Sequence, residues 1–176
     1  VLLISSAKPQ QRLSAAQTHA LQSHGALFSK LIESKETKSA PAIDPLIERL
    51  RLLESVVVNA KDAILITEAD PIDQPGPRIV YCNPAFLTTT GFSLSDVIGL
   101  TPRILHSEDT CRATLNSIRA ALLKWEPIEV ELINSRKDGS NFWVQLSIVP
   151  VADEHGWFTH WVSVQRDITE RKEAEL

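Results

Sequence analysis

The spacing of apolar residues predicts two helices in the first third of the chain. Residues 12–36 are rich in helix-forming residues, which favours a first helix there. Its apolar positions recur at Leu21, Phe28 and Ile32. Residues 37–44 contain breaker signals and indicate a short linker. We therefore assign residues 1–43 to an N-terminal helical segment and its linker.

A second helix is predicted to begin at the Asp44-Pro45 pair, which supplies an N-cap and a first-turn proline. Its apolar residues alternate at spacings of four and three: Leu46, Leu50, Leu53 and Val57. Two heptads do not decide between a dimer seam and a helix packed on its own domain. We assign residues 44–60 to an amphipathic signalling or dimerisation helix and leave both alternatives open.

From residue 62 onward the pattern becomes that of short strands and turns. Residues 63–69 and 78–82 predict two paired strands joined by a loop rich in Pro and Gly. Two short helical turns follow, with start signals at Asn83-Pro84 and at Ser93 with Asp96. Glycines that follow each turn, Gly91 and Gly99, are stop signals.

The last part of the chain predicts one helix and an antiparallel sheet. A helix is expected over 107–124, with acids in its first turn and an apolar stripe through Leu115, Ile118 and Leu122. Residues 128–151 alternate on both sides of the turn KDGS, which is typical of a hairpin, and residues 158–168 add a strand. Asp167 and Glu170 have the spacing of a capping box for a new helix. The fold class is therefore α+β, with a five-stranded antiparallel sheet and short helices on one face.

Composition narrows the classes of function. The chain has 176 residues, 43% of them apolar, which is enough for one domain with a core and flanking segments. Its net charge is -4 and its Lys and Arg residues are scattered, so nucleic acid is not expected as a partner. Cys82 and Cys111 are far apart, so we expect neither a disulfide framework nor a zinc site, and a reducing, cytoplasmic setting. No apolar run is long enough for a membrane span, and no initiating Met is present, which suggests a fragment of a longer chain. No nucleophile with its base or metal cluster is evident, so catalysis is not expected.

Three motifs identify a known family. The segments YCNPAFLTTTGFSLSDVIG, SRKDGSNFWV and RDITERK, in this order of elements, resemble the PAS sensor family over residues 52–171. The segment GLTPRILHSEDT looks like the blue-light-sensing LOV (light-oxygen-voltage) branch, which binds flavin mononucleotide (FMN). The resemblance implies a sensor domain over 61–168 and the start of a C-terminal linker helix over 169–176. It also implies a homodimer through the flanking helices and an attached output domain, commonly a histidine kinase or a cyclic dinucleotide enzyme.

The resemblance assigns flavin contacts to four polar residues. Arg103 and Arg119 match the arginines that bind the flavin phosphate, a role that suits the planar, permanently charged guanidinium. Asn134 matches the asparagine at the pyrimidine edge, and Gln165 matches the glutamine beside flavin N5. Both amides offer a donor and an acceptor together. FMN is the expected cofactor, with FAD, riboflavin or an empty pocket left open.

Four positions depart from the LOV pattern. Pro102 stands at the position of the adduct-forming cysteine, so a light-driven bond between sulfur and flavin cannot form there. The other departures are Thr101 for an asparagine, His106 for a glutamine, and Val144 for a second flavin-edge amide. Cys111 is expected to point away from the ring. A flavin site here would therefore work without a cysteinyl adduct, with an electron from Trp143, Trp161 or Tyr81.

Each of the four proposed flavin contacts also has a structural interpretation that needs no ligand. Arg103 and Arg119 would form surface pairs with Asp96, Glu108 or Asp109, and Asn134 and Gln165 would bind sheet backbone. Phe142 and Trp143 are adjacent on a strand and are expected on opposite faces. Two hypotheses follow: a flavin-binding sensor that signals by light or redox state, and an apo PAS module that only relays signals between its flanking helices.

Overall fold

The computed structural model describes residues 44–175, so the helix predicted over 12–36 lies outside the described residues. In chain order the elements are α1 (Pro45–Val58), β1 (Ala63–Glu68), β2 (Ile79–Cys82), α2 (Pro84–Thr90), α3 (Leu94–Val97), a 3-10 turn (Pro102–Leu105), α4 (Arg112–Leu123), β3 (Ile128–Ser135), β4 (Asn141–Ala152), β5 (Phe158–Asp167) and α5 (Thr169–Ala174).

The five strands form one antiparallel sheet in the order β2-β1-β5-β4-β3. The central pairing places Ala63 of β1 opposite Gln165 of β5, and the β3–β4 hairpin places Asn134 opposite Phe142. Helix α2 packs on β1 and α4 packs on β3. The five-stranded antiparallel sheet that the sequence predicts is confirmed, and the first and last strands in sequence lie side by side at its centre.

Helix starts and stops follow the local signals. Asp44 caps α1, since its Oδ1 accepts from the Leu46 N–H at 3.0 Å, and Asn83 caps α2 by accepting from the Phe86 N–H at 3.0 Å. Gly91 ends α2 with a left-handed φ of 74°, a conformation that glycine adopts without steric cost. These three predictions are confirmed because caps are formed by residues adjacent in sequence.

Two boundaries differ from the sequence prediction. Helix α4 begins at Arg112 and not at residue 107, because Thr110 ties the preceding turn to β3: its Oγ1 accepts from the Ser107 N–H and donates to the Ile133 carbonyl. The expected acids, Glu108 and Asp109, therefore precede the helix. The predicted capping box of α5 is also wrong.

Helix α5 is instead started by Asp167 alone. Ile168 is the N-cap residue and makes no side-chain cap bond, whereas the Asp167 carboxylate accepts from both the N–H and the hydroxyl of Thr169. The helix still begins at Thr169, as predicted.

Helix α1 leaves its apolar residues open to solvent. Leu46, Leu50 and Leu53 expose 60%, 56% and 40% of their surface, and no α1 residue is buried. The first three seam residues therefore do not pack on their own domain, whereas Val57, the fourth, is half-buried. The dimer seam stays a prediction. No helix within residues 44–175 is both long enough and apolar enough to span a bilayer.

Two clusters of buried side chains form the core on the inner face of the sheet. The first joins β1 and β2 to the short helices, and the second joins β3 to β4. Their buried members are Ala63, Leu65, Ile79, Cys82, Phe86, Val97 and Leu105 in the first, and Leu132, Phe142, Val144 and Leu146 in the second. Leu105 and Leu132 both border a cavity, so that cavity touches both clusters.

Candidate ligand-binding site

A cavity of about 220 Å³ lies on the inner face of the sheet, bordered by the 3-10 turn and α4. Seven of the residues singled out from the sequence line it: Thr101, Pro102, Arg103, His106, Arg119, Asn134 and Gln165. The apolar stripe of α4 lines it as well, through Leu115, Ile118 and Leu122. The structure therefore brings together residues that are up to 64 positions apart, a span from Thr101 to Gln165.

Two buried amides form one wall of the cavity. Asn134 on β3 and Gln165 on β5 expose only 3% and 5% of their surface, because both occupy inward positions of their strands. The Oδ1 atom of Asn134 is buried and accepts no hydrogen bond among the described residues. Gln165 makes one long contact, with 3.5 Å between its Nε2 and Ser163 Oγ. Binding to sheet backbone, the structural interpretation of these two residues, is wrong.

An unpaired buried oxygen is costly, since a polar group removed from water without a partner loses about 1–3 kcal/mol. Asn134 lines a cavity that a ligand can enter. A ligand with an N–H donor would remove this cost. The amide wall is therefore suited to a ligand edge that carries both donors and acceptors.

The cavity carries positive charge on its lining. Arg103, Arg112 and Arg119 all contribute to it. Arg119 is held by Asp73, with its Nε at 2.9 Å and its Nη2 at 2.7 Å from Oδ1, whereas the Arg103 guanidinium makes no hydrogen bond or ion pair with residues 44–175. An anionic group of a ligand would find at least one free guanidinium there.

The predicted surface partners of these arginines are wrong. Asp96 binds Lys137 at 2.6 Å, and Asp109 accepts from Asn141. Asp73, the observed partner of Arg119, is 46 residues away in the loop between β1 and β2.

Sequence reasoning missed several lining residues, among them Arg112, Thr67 and Ser163. Ser163 lies two residues before Gln165 on the same strand, so the period of two could have found it. No sequence pattern indicated that Arg112 lines the cavity. The sequence predicted a helix start at residue 107, whereas α4 begins at Arg112.

His106 lies beside the arginines and lines the cavity. Partial loss of water around its imidazole lowers the pKa of His106, and the charges of Arg103 and Arg112 lower it further. The neutral ring is therefore favoured near pH 7, as a hydrogen-bonding group without charge.

No cysteine lines the cavity among residues 44–175. Pro102, at the position where LOV proteins carry the reactive thiol, begins the 3-10 turn. Cys82 is buried in the first core cluster, where burial raises the pKa of its thiol. Cys111 is exposed at the start of α4, where hydrogen bonds from Thr114 and Ala113 lower its pKa. Neither thiol is placed to bond a ligand in the cavity.

Val144 does not line the cavity. It is fully buried and packs with Leu132, Phe142 and Leu146. Its expected place at the flavin edge is therefore not observed, because the second core cluster takes up this side chain.

Phe142 and Trp143 lie on opposite faces of the sheet, as predicted. Phe142 is in the core, with the Arg136 guanidinium 4.2 Å from its ring centroid, and Trp143 has Lys172 Nζ 5.2 Å from its ring on the other face. Neither lines the cavity, and neither does Tyr81; of the three suggested electron donors only Trp161 lines it.

A second concavity, about 550 Å³, is an open trough beside the β3–β4 turn. Its charged groups are paired with each other or with neighbours: Arg136 with Asp167 at 2.9 Å and Lys137 with Asp96 at 2.6 Å. The inner cavity remains the candidate site, since Asn134, whose buried Oδ1 has no hydrogen-bond partner among the described residues, lines it.

The residues of the inner cavity fit a flavin. The two amides match an isoalloxazine edge of mixed donors and acceptors, the apolar lining of α4 suits a planar ring, and the arginines suit a phosphate. The adduct chemistry of LOV domains does not fit, because no thiol is present at Pro102.

Among solved structures, the chain is similar to three light-oxygen-voltage proteins. An RNA-binding light-oxygen-voltage receptor superposes with a TM-score of 0.67 at 28% identity, over 80% of this chain and 39% of that chain. A light-oxygen-voltage domain studied with a flavin analogue gives 0.59 at 31% identity, over 74% and 89%. The LOV domain of a blue-light activated histidine kinase from Erythrobacter litoralis gives 0.57 at 29% identity, over 63% and 99%.

Curated proteins show the same relationship. The chain is 39% identical over 106 residues to a blue-light-activated histidine kinase of Brucella canis, which covers 60% of this chain and 21% of that protein. It is 36% identical over 118 residues to a nitrogen fixation regulatory protein of Klebsiella oxytoca, over 67% of this chain and 23% of that protein. The chain thus spans about one fifth of the length of these relatives.

The profile of the PAS domain family matches residues 61–170, which comprise the whole sheet and its short helices. This match, together with the sheet order and the light-oxygen-voltage neighbours, shows that the chain belongs to the PAS domain family.

Proposed function

We propose that this PAS domain binds a flavin non-covalently and relays light or redox state to an attached output domain without a cysteinyl adduct. The observation that carries the proposal is the buried, unpaired Oδ1 of Asn134, a residue that lines the same cavity as Gln165. FMN is the flavin that we propose first, because Arg103 has a free guanidinium for one phosphate. FAD and riboflavin are the alternatives.

A bound flavin would supply blue-light absorption and transfer of one or two electrons. The chain's own part begins at Gln165, whose amide offers either its NH₂ group or its carbonyl oxygen. It would donate to an unprotonated ring nitrogen and accept from a protonated one. A change of protonation at the ring would therefore turn this side chain.

The neighbours of Gln165 on β5 lead to both flanking helices. Arg166 binds Asp62 just after α1, with 2.7 Å between Nη2 and Oδ2. Asp167 binds Thr169 at the start of α5 and also accepts from Arg136. A turn of the Gln165 amide would thus act on a strand that is tied to the chain segments on either side of the domain.

The output of the domain is proposed from its relatives. Blue-light-activated histidine kinases and a nitrogen fixation regulatory protein carry a similar segment in about one fifth of their length. We propose that this chain acts as a non-enzymatic sensor attached to a comparable output domain. The exposed seam of Leu46, Leu50 and Leu53 on α1 would form a homodimer. Two free thiols suit the reducing cytoplasm.

The proposal is tested by the visible absorption spectrum of the purified chain, in the dark and after blue light. The chromophore is then released by heat and identified as FMN, FAD or riboflavin. A flavin spectrum that bleaches under light and recovers only with oxygen would support a sensor without an adduct. A chain that stays colourless after incubation with each flavin would overturn the proposal.

A second candidate is an apo PAS module that joins α1 and α5 as a structural relay. Two observations favour it: Pro102 supplies no thiol, and Val144 sits in the core instead of offering a polar contact. A colourless chain that forms a stable dimer would support this candidate. A tightly bound flavin whose reduction changes α5 would exclude it.

A further inference from the structure

Three aromatic side chains form a stack at the edge of the cavity. The ring of Trp125 lies nearly parallel to that of Phe158, with centroids 4.9 Å apart at 7°, and to that of Trp161, with centroids 5.0 Å apart at 5°. Trp161 is 3% exposed and lines the cavity, and its Nε1 donates to the Ala69 carbonyl at 3.1 Å. The stack is therefore fixed at its inner end by a buried indole.

Trp125 has a backbone conformation that tryptophan rarely adopts. Its φ is 58°, two residues after Leu123, the last residue of α4, where the backbone bonds from Trp125 to Leu122 and from Glu126 to Ala121 close the helix. Glycine is the usual residue there, and a non-glycine residue in the left-handed conformation is strained. The parallel contacts with Phe158 and Trp161 offset this strain.

The two indoles differ in their surroundings. Trp161 faces the cavity, whereas Trp125 is half-buried and does not line it. Two easily oxidised side chains in contact therefore lead from the ligand cavity towards the protein surface. Phe158 is difficult to oxidise, so the path continues from Trp161 to Trp125 and does not include Phe158.

We infer that Trp161 and Trp125 form a one-electron path between a redox-active ring in the cavity and a reductant in solution. The inference rests on the proposed flavin function. Under blue light, Trp161 gives one electron to the ring and becomes a radical cation. Trp125 then gives one electron to Trp161, which returns to its neutral state.

At the surface end of the path, a reductant in solution replaces the electron that Trp125 has given up. The oxidised Trp125 takes an electron from a thiol in solution, and two such thiol radicals combine to a disulfide after each loses its proton. Two passages thus deliver two electrons to the cavity and convert two thiols to one disulfide. The other candidate donors do not serve this path, since Trp143 lies on the opposite sheet face and Tyr81 does not line the cavity.

The experiment compares three variants of the flavin-loaded chain under blue light, without oxygen and with dithiothreitol as the thiol. Trp161→Phe and Trp125→Phe keep an aromatic ring in the stack but remove the oxidisable indole. Trp143→Phe is the matched control on the other face. The readouts are the rate of bleaching of the visible band and the tryptophanyl radical signal by electron paramagnetic resonance.

We expect Trp161→Phe to lose the radical signal and most of the bleaching. Trp125→Phe should retain rapid transfer from Trp161 but lose the long-lived radical and the bleaching sustained by thiol. Trp143→Phe should match the unaltered chain. Equal bleaching and equal radical signal in all four proteins, with flavin bound in each, would overturn the path and leave the proposed function standing. A chain that binds no flavin would overturn both.

The stack itself is tested without flavin by circular dichroism. Two parallel indoles in contact couple their far-ultraviolet transitions and give a paired positive and negative band. Trp125→Phe and Trp161→Phe should each remove this band pair, while Trp143→Phe keeps it. A chain without the band pair, or with the band pair unchanged in Trp125→Phe, would overturn the inferred contact.

Discussion

The side-chain amide of Asn83 donates to the backbone carbonyl of Val57, with 3.1 Å between Nδ2 and O. The same nitrogen donates to the Asp62 carbonyl at 3.1 Å, and Oδ1 accepts from the N–H groups of Ile64 at 2.8 Å and Phe86 at 3.0 Å. Asn83 is fully buried. One side chain thus uses its whole hydrogen-bonding capacity to hold the end of α1 against β1 and α2.

Asn83→Ala should therefore destabilise the domain strongly. It removes the side-chain cap of α2 and leaves the half-buried Ile64 N–H without its side-chain acceptor, while the Phe86 N–H keeps only the Asn83 carbonyl, for a loss of about 2–4 kcal/mol. Urea unfolding measures this change. Asn59→Ala is the matched control, because Asn59 is exposed and bonds only within α1, at Ser55. Equal stability of the two variants would contradict the role of Asn83.

Gln165→Leu should separate flavin binding from signalling. Leucine keeps the volume of the cavity wall but cannot exchange a donor for an acceptor, so flavin should stay bound while α5 no longer responds to light. Hydrogen exchange of the α5 amides in the dark and after illumination measures the response. Gln145→Leu is the control, since Gln145 bonds Glu129 and does not line the cavity. An undiminished response of α5 in Gln165→Leu would refute this mechanism.

Asn134→Leu should stabilise the empty domain and weaken flavin binding. The change removes a buried oxygen that lacks a partner, for a gain of about 1–3 kcal/mol in the free energy of unfolding. The same change removes an acceptor for the ligand. Thermal unfolding and flavin titration are measured on one preparation, with Asn141→Leu as the exposed control. A loss of stability without flavin would show that the oxygen has a partner in solution.

Asp73 and Arg103 should act in opposite directions on a phosphate-bearing ligand. Arg103→Ala should weaken FMN binding about tenfold or more, because a hydrogen bond to a charged group contributes about 1.5–3 kcal/mol. Asp73→Asn frees Arg119 and should strengthen FMN binding. Riboflavin, which lacks the phosphate, should respond to neither change. Arg171→Ala on α5 is the control, and equal effects on FMN and riboflavin would argue against phosphate contacts.

His106 should make stability depend on pH in a definite direction. Its pKa is lowered in the folded domain, so the unfolded chain takes up a proton first as the pH falls through about 6.5. The contribution is present above that pH and is lost as the pH falls through the lower folded pKa. His106→Gln should therefore reduce the loss of stability between about pH 8 and pH 5. His155→Gln, on an exposed turn, is the control, and an identical pH profile of His106→Gln and the unaltered chain would contradict the prediction.

Sequence by itself determined the features that adjacent residues decide. The caps at Asp44 and Asn83, the stop at Gly91 and the alternation of the strands all depend on residues within one or two turns of each other. Period and turn chemistry act locally, so the five strands and the short helices could be predicted. The PAS resemblance then placed Asn134 and Gln165 at a ligand site, and the structure brings both to one cavity.

Only the tertiary structure decided the features that distant residues share. The start of α4 depends on the Thr110–Ile133 bond, the partner of Arg119 is Asp73, and Val144 belongs to the core because Leu132 and Phe142 close around it. The stack of Trp125 and Trp161 likewise joins two elements 36 residues apart. Such contacts leave no local period in the sequence, because side chains meet only after the sheet has set the distance between its strands and helices.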